Sequence, residues 1–466
     1  MALPAFRARG DVRLVHQQDF CTCIRNNLSE YGGGDTCIRE HLANADDARA
    51  TQFTVCLDKY TYLSDNLMTS SMAELQGPAL LFSNNAVFKP EHLVSYTQRV
   101  GNSCKADDPF SVGKFGKGGL TAYSATDVIQ LVTGEQMLIL DPCRSYLPDG
   151  LASLAINLAD KGHRHFIDLS VEASDHLTPF RAFSEAIGSM PLISGDCIFP
   201  GSSFRLALRT EAAAERSLIS NEPFSSYQIE ESFTEFAIKA PPSLLFTRSV
   251  QDVITCLMEE GQPGTTVLLH ASISPEQTGR SWSMLSRGLQ RMVIDIQHAD
   301  GTFSRQVWLK AVNARSRGSS AGCAVLLEDS AIPGEALPAV HGRVFNTVAL
   351  PLKDTGLPLH INGAFQVSSE RRNLTGGEGD QGQVRERTVL AKSIKTQTVT
   401  SLRSVQKLCR YQNALLCLLC LSCSVKVPYL TCQTLPLMLS VLHRELRTKE
   451  FCTRTLHPVG PMPLLL

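Results

Sequence analysis

The segment CIREHLANADDA, residues 37–48, could place three polar side chains on one side of a helix. Glu40, Asn44 and Asp47 follow one another at intervals of four and three residues, so a helix brings them to one face. Apolar residues fall on the opposite face (Ile38, Leu42 and Ala45). Amide and carboxylate oxygens are ligands that Mg²⁺ accepts, and a carboxylate one turn away can orient or deprotonate a water. The alternative interpretation is an ordinary solvated helix face.

A glycine-rich stretch, VGKFGKGGLTAYSATD at residues 112–127, is the second candidate for chemistry. Four of the seven residues from Gly113 to Gly119 are glycine. Such a loop lets backbone N–H groups approach a phosphate closely, and a following helix start would favour an anion. The stretch has no Gly-Lys-Ser/Thr and is therefore not a Walker loop. The alternative is a flexible surface loop.

Helix-like and strand-like segments alternate around these two stretches. Asp35 or Thr36 is a suitable N-cap for a helix from Cys37 to Ala48. A helix is also predicted from Pro90 to about Arg99. The predicted strands of this region are 51–57, 79–83, 137–140 and 204–209. Mixed elements of this kind predict an α/β fold, an α+β sandwich in which helices cover a mixed sheet.

Changes in composition suggest three regions. Residues 16–210 form the first predicted domain, and residues 225–374 form a second α/β unit. In that unit alternating segments flank Asp300-Gly301, a hairpin signal. Residues 375–466 are predicted to be a linker and an atypical Leu/Cys-rich tail. Between 401 and 466 eight Lys or Arg stand against two Asp or Glu, a net charge of +6.

The overall composition excludes several classes of protein. The 466 residues carry 44 Lys and Arg against 45 Asp and Glu, and this balance argues against nucleic-acid binding. The 15 cysteines lack a regular framework spacing, which favours reduced thiols in a cytoplasmic protein. The longest uncharged apolar run, 411–425, has 15 residues, short of the roughly 20 that a membrane span needs. No secretory signal is visible at the start of the chain.

The two motifs occur in the order found in the GHKL ATPases, which include gyrase, heat-shock protein 90, histidine kinases and MutL. Glu40-x-x-x-Asn44-x-x-Asp47-Ala48 resembles the signature helix of that superfamily. GKFGKGG at 113–119 resembles the phosphate loop of the heat-shock protein 90 branch. Longer strings are similar to the sacsin repeat from about residue 18 to 374: HLANADDARAT, QGPALLFSNNAVF, SCKADDPFSVGKFGKGGLTAYSATDV, FPGSSFRLALR and TGLPLHINGAFQVSSERRN. The resemblance implies a Bergerat-type ATPase domain followed by the second unit.

The resemblance also implies roles for the residues of the signature helix and its surroundings. Glu40 corresponds to the residue that orients the hydrolytic water, and Asn44 to the Mg²⁺ ligand. Asp47 and Lys105 are placed among the nucleotide-binding residues, and Ser202 corresponds to a Thr that supports adenine recognition.

Further correspondences concern the phosphates. Gly113, Gly116 and Gly118 correspond to the glycines that cradle them. Arg371 and Arg372 correspond to a basic pair that could reach the γ-phosphate from the second unit and join Glu40 in catalysis.

Several positions depart from the family pattern. Asn85, with Asn84 as the alternative, stands where the family has an adenine-binding Asp. An Asn carbonyl still accepts a hydrogen bond from the adenine amino group but lacks the charge-assisted part, which is worth about 1–2 kcal/mol. Lys117, Gly119, Cys143 and Glu370 replace the usual residues elsewhere. These departures are compatible with nucleotide binding and leave hydrolysis open.

The sequence thus predicts an ATP-binding, chaperone-like module that uses ATP and Mg²⁺. Slow hydrolysis would be coupled to closure of a lid formed by residues 86–112. The expected partners are protein clients or co-chaperones, for example of the heat-shock protein 70 type. The alternative is a nucleotide-binding interaction module that does not hydrolyse ATP. A signalling kinase of the same superfamily is disfavoured because no phosphoacceptor His box precedes the motifs.

Overall fold

The computed structural model describes eleven segments of the chain, all within the compact unit Met1–Ser404. They are 19–31, 35–89, 118–159, 173–187, 199–262, 264–275, 284–286, 289–312, 322–331, 340–354 and 359–363. The helix predicted at 90–99, most of the predicted lid and the predicted tail lie outside these segments.

The described residues form five α-helices, fifteen strands and four short 3₁₀ helices. The α-helices are α1 Phe20–Tyr31, α2 Thr36–Asp47, α3 Thr178–Ala186, α4 Glu211–Arg216 and α5 Ser226–Ser243. The strands are β1 Gln52–Asp58, β2 Ala79–Asn84, β3 Ile129–Gly134, β4 Gln136–Leu140, β5 Ser153–Asn157, β6 Phe199–Ala207, β7 Asp252–Met258, β8 Thr266–Ile273, β9 Met284–Ser286, β10 Leu289–His298, β11 Phe303–Val312, β12 Gly322–Asp329, β13 Arg343–Asn346, β14 Val348–Asp354 and β15 His360–Asn362. The 3₁₀ helices are Ser70–Gln76, Gly118–Ser124, Pro148–Gly150 and Ser174–His176.

All fifteen strands belong to one mixed sheet. Its order is β14-β13-β15-β12-β11-β10-β8-β7-β1-β2-β6-β3-β4-β5, and β9 pairs with β10. Among the described strands, β1 with β7 and β13 with β15 are the parallel pairs. The sheet therefore passes without a break from β1 in the first predicted domain to β7 in the second unit. The division at 210–225 itself stays a prediction.

Helices cover both faces of the sheet. Alternate residues of β1, such as Phe53 and Val55, face a large core that α1, α2 and α5 cover. The intervening Cys56 faces the other side, where Phe183 of α3 packs against it. This alternation follows from the two-residue period of a strand. The predicted α/β class, with helices over a mixed sheet, is confirmed.

The local predictions hold where the hydrophobic period is clear. The helix predicted from Cys37 to Ala48 is α2, with Asp35 at its N-cap position. The predicted hairpin is β10–β11, and Gly301 adopts φ +78° in its turn, a conformation that favours glycine. In the part of the chain that the structure describes, no helix is long and apolar enough to cross a membrane.

Candidate functional site

Helix α2, which carries Glu40, is buried on nearly every side. Its apolar residues Ile38 and Leu42 are 1% and 0% exposed, and the Glu40 side of the helix is covered as well. Glu40 itself is only 2% exposed. The alternative of a solvated polar face is therefore wrong for Glu40 and for the Asp47 side chain, which is 1% exposed, whereas Asn44 is half-buried. Burying a carboxylate is costly unless other groups interact with it, and Glu40 has such an interaction in the folded chain.

Gly118, from the glycine-rich stretch, lies directly against Glu40. A Cβ atom placed on Gly118 would stand 2.2 Å from Glu40 Oε2 and 3.2 Å from Cδ. Gly118 begins the 3₁₀ helix Gly118–Ser124, and its carbonyl accepts a hydrogen bond from Thr121 Oγ1 at 2.6 Å. The structure thus brings together the two motifs that the sequence singled out, although 78 residues separate Glu40 from Gly118.

The other two polar residues of the helix face differ in their partners. Asn44 is half-buried, and no side-chain hydrogen bond is found for it among the described residues. Asp47 instead pairs with the guanidinium of Arg248. To bind a nucleotide as well, the Asp47 carboxylate would have to interact with the ligand and with Arg248 at the same time.

Ion pairs and hydrogen bonds hold the N-terminal end of α2. Asp35 accepts from Arg39 Nε at 3.0 Å and from Lys239 Nζ at 2.8 Å. Arg39, which immediately precedes Glu40, also donates to the carbonyl of Ala349 in β14 at 3.1 Å. Both Asp35 and Arg39 are 3% exposed at the side chain, so this network is water-excluded.

The C-terminal end of α2 is held by Asp46. Its Oδ1 accepts from the backbone N–H groups of Arg248, Ser249 and Val250 at 2.8, 2.7 and 3.2 Å. These residues lead into β7, the neighbour of β1. The two ends of the helix that carries Glu40 are therefore held by Lys239, residues 248–250 and Ala349.

His41 and Cys37 anchor the side of α2 that faces the sheet. The His41 ring stacks on Phe82 with 4.0 Å between centroids, and its Nδ1 donates to the Cys37 carbonyl at 2.9 Å. Desolvation lowers the pKa of His41 to about 4, so the imidazole is neutral at pH 7. Burial raises the pKa of the Cys37 thiol to about 12 despite a hydrogen bond with the Thr121 side chain. Neither group is poised for acid–base or nucleophilic chemistry.

The two residues predicted near adenine already have protein partners. Asn85 Oδ1 accepts from Thr51 N at 2.8 Å and from Gln52 N at 3.3 Å, and Asn85 Nδ2 donates to Thr51 Oγ1. The alternative residue, Asn84, accepts from Ala86 N through Oδ1. To recognise adenine, the Asn85 side-chain carbonyl would therefore have to accept a bond from the base in addition to those from the N–H groups of Thr51 and Gln52.

Ser202 is fully buried in β6, opposite Asn84 at the end of β2. Its hydroxyl donates to the Ala86 carbonyl at 2.6 Å and lies 2.9 Å from Thr133 Oγ1. Thr133 Oγ1 in turn accepts from Phe88 N. The hydroxyl pair thus fixes residues 86–88, where the predicted lid begins.

Several predicted site residues lie outside the described residues: Lys105, Gly113, Gly116, Arg371 and Arg372. Within the described segments no group of three or more His, Cys, Asp or Glu side chains could hold a metal ion. A metal at Asn44 would therefore rely on this amide together with nucleotide oxygens and waters, as Mg²⁺ commonly does.

Arg209 is a site-supporting residue that sequence reasoning missed. It pairs with Asp127 at 2.8 Å and donates to the carbonyls of Tyr123 and Ser124, so it fixes the C-terminal end of the 3₁₀ helix that begins at Gly118. It is 3% exposed. The available signal was an arginine at the end of the predicted strand 204–209, but the two-residue period of a strand does not show which carbonyls the arginine contacts.

Comparisons with known proteins were consistent with the sequence resemblance. The family model described as "Sacsin domain" matches residues 17–269. Human sacsin is 29% identical over 402 residues, which cover 77% of this chain and 8% of sacsin. The chain thus spans a small part of that relative's length. A crystal structure of the N-terminal domain of a DNA repair protein is 11% identical with a TM-score of 0.36, covering 83% of this chain and 99% of that chain. A TM-score at that level supports no conclusion.

Proposed function

Because this chain belongs to the sacsin domain family, we propose that it is an ATP-binding, chaperone-like module of the heat-shock protein 90 type. In this proposal Mg²⁺-dependent hydrolysis of ATP to ADP and phosphate is slow and accompanies closure of residues 86–112 over the nucleotide. Protein clients or co-chaperones, such as those of the heat-shock protein 70 type, are the proposed partners in the cytoplasm.

The observation that carries the proposal is the juxtaposition of Glu40, Asn44 and Gly118. Glu40 and Asn44 lie one turn apart on α2, and Gly118 of the glycine-rich stretch touches the Glu40 carboxylate. Glu40 would accept a proton from, or orient, a water aimed at the terminal phosphate. Asn44 would offer its amide oxygen to Mg²⁺, which supplies charge neutralisation at the phosphates when bound. Gly113 and Gly116 would surround the phosphates, and Arg371 and Arg372 would approach the γ-phosphate.

A second candidate function is nucleotide binding without hydrolysis. It is favoured by the partners of Asn85, whose carbonyl already accepts two backbone hydrogen bonds. The Asn85 carbonyl is uncharged and already accepts these two bonds, so adenine would bind to it weakly. The module would then act through the conformation that the nucleotide selects.

Binding is tested by titration calorimetry of the full chain with ATP, with and without Mg²⁺. Asn44→Ala removes the proposed metal oxygen and should abolish the Mg²⁺-dependent part of the affinity. Asn26→Ala, on the exposed side of α1, is the matched control and should leave it unchanged. A wild-type protein without Mg²⁺-dependent ATP binding would refute the proposal.

Hydrolysis is tested separately with Glu40→Gln, which keeps size and hydrogen bonding but removes basicity. Loss of a general base costs about 10²–10⁴-fold, so turnover should fall at least about tenfold with ATP affinity nearly unchanged. Glu231→Gln, exposed on α5, is the control. If wild type binds ATP but its turnover equals that of Glu40→Gln, the second candidate function is the correct one.

A further inference from the structure

The contact between Gly118 and Glu40 suggests a role for this glycine that phosphate binding does not explain. The imagined Cβ of Gly118 meets Glu40 atoms at 2.2, 3.2 and 3.7 Å (Oε2, Cδ and Cγ). No real Cβ atom approaches another heavy atom as closely as the first of these distances. Any side chain at position 118 must therefore move the Glu40 carboxylate.

We propose that Gly118 is a positioning residue for Glu40. Position 118 is glycine because the Glu40 carboxylate occupies the space that a side chain would need. The effect on hydrolysis in this inference rests on the proposed function, because both concern the same site. It assigns Gly118 an effect on hydrolysis through Glu40, whereas a phosphate-cradling glycine would act on nucleotide affinity.

Two contacts link α2 to the 3₁₀ helix. Thr121 lies close enough to Cys37 to lower the pKa of its thiol against the effect of burial, and one turn further along α2 Glu40 meets Gly118. The Thr121 hydroxyl also donates to the Gly118 carbonyl, which holds the first turn in place. Gly118 is therefore held by this hydrogen bond on one side and packed against Glu40 on the other.

The flexible partner in this contact is therefore the carboxylate. Ordinary contact with a methyl group would displace Oε2 by about 1 Å, a misplacement that can cost about 10²-fold in rate. Because the nearest atom is the end of a side chain rather than backbone, the folded structure should survive the substitution. An alanine at position 118 is expected to spare folding and binding while it moves the proposed base.

The experiment is a double-mutant cycle in the full chain. Gly118→Ala should lower ATP turnover about 10²-fold with the ATP dissociation constant within about twofold of wild type. In a Glu40→Gln background the same substitution should have no further effect on turnover, because the base is already lost. Gly77→Ala is the control substitution, since a Cβ there meets nothing within 4 Å. A large loss of ATP affinity in Gly118→Ala would overturn the proposal in favour of phosphate cradling.

A ligand-free measurement separates failure of this inference from failure of the proposed function. Gly118→Ala should lower the melting temperature by about 2 °C in wild type and by much less in a Glu40→Ala background, where the obstructing carboxylate is absent. Equal decreases in both backgrounds would overturn the inference even if ATP binds. Unequal decreases in a protein that does not bind ATP would leave the spatial assignment standing and refute the ATPase proposal alone.

Discussion

His41 should make the fold sensitive to mild acid. The ring is 4% exposed, stacks on Phe82 and lies beside Glu40 on α2. Its pKa falls to about 4 in the folded chain from 6.5, because burial disfavours the charged imidazolium. His176 and His360, with pKa values also lowered to about 4 chiefly by burial, behave in the same way.

The direction of the effect follows from which state binds protons first. A depressed folded pKa means that the unfolded chain takes up a proton near pH 6.5, before the folded chain does. The stability that neutral His41 provides is therefore complete above pH 6.5. It is lost progressively as the pH falls toward about 4.

The magnitude can be worked out from the two pKa values. Each pH unit below 6.5 costs about 1.4 kcal/mol per histidine until the folded group also titrates. Between pH 7.5 and pH 5, His41 alone should lower the free energy of unfolding by about 2 kcal/mol. Domains of this kind are stable by only about 5–15 kcal/mol, so the decrease is easily measured.

The assay is urea unfolding of the full chain at pH 7.5 and pH 5, compared with His41→Phe. A phenyl ring can keep the stack on Phe82 but cannot titrate, so this variant should lose about 2 kcal/mol less than wild type between the two pH values. His341→Gln, at an exposed position, is the control and should follow wild type. Equal losses in wild type and His41→Phe would refute the reasoning.

Two further predictions concern residues near the site. Asn85→Asp keeps the acceptor for Thr51 N and supplies a charge, so calorimetry should show ATP bound about tenfold more tightly; unchanged or weaker binding would contradict adenine recognition by Asn85. Arg209→Met leaves Asp127 buried without its ion-pair partner and should lower the free energy of unfolding in urea by about 3–5 kcal/mol, whereas Arg216→Met, which breaks an exposed pair, should have a much smaller effect. Similar losses in both arginine variants would contradict the burial argument.

Periodicity predicted the elements that position the site. Ile38 and Leu42 recur at helical spacing, and Phe53, Val55 and Leu57 alternate, so α2 and β1 were foreseeable from the sequence. Each of these patterns is local, and the structure gives them nearly the expected bounds.

The surroundings of the site could not be predicted in the same way. A helical period gives the angular position of Glu40, but it does not show what lies opposite. The partners of α2 are distant in sequence: 204 residues separate Asp35 from Lys239, and 310 separate Arg39 from Ala349. Only the assembled sheet determines that these groups meet, and hence that the helix face is buried.

The pairing of β1 with β7 has a consequence for how the chain can be divided. β1 is hydrogen-bonded on one side to β2 and on the other to β7, in parallel register from Gln52 with Asp252 to Asp58 with Met258. A fragment ending near residue 210 would turn the central strand β1 into an unprotected edge, with Phe53, Val55 and Leu57 along it. Such apolar edges recruit other strands and promote aggregation. Recombinant work on this protein should therefore retain residues through at least 363.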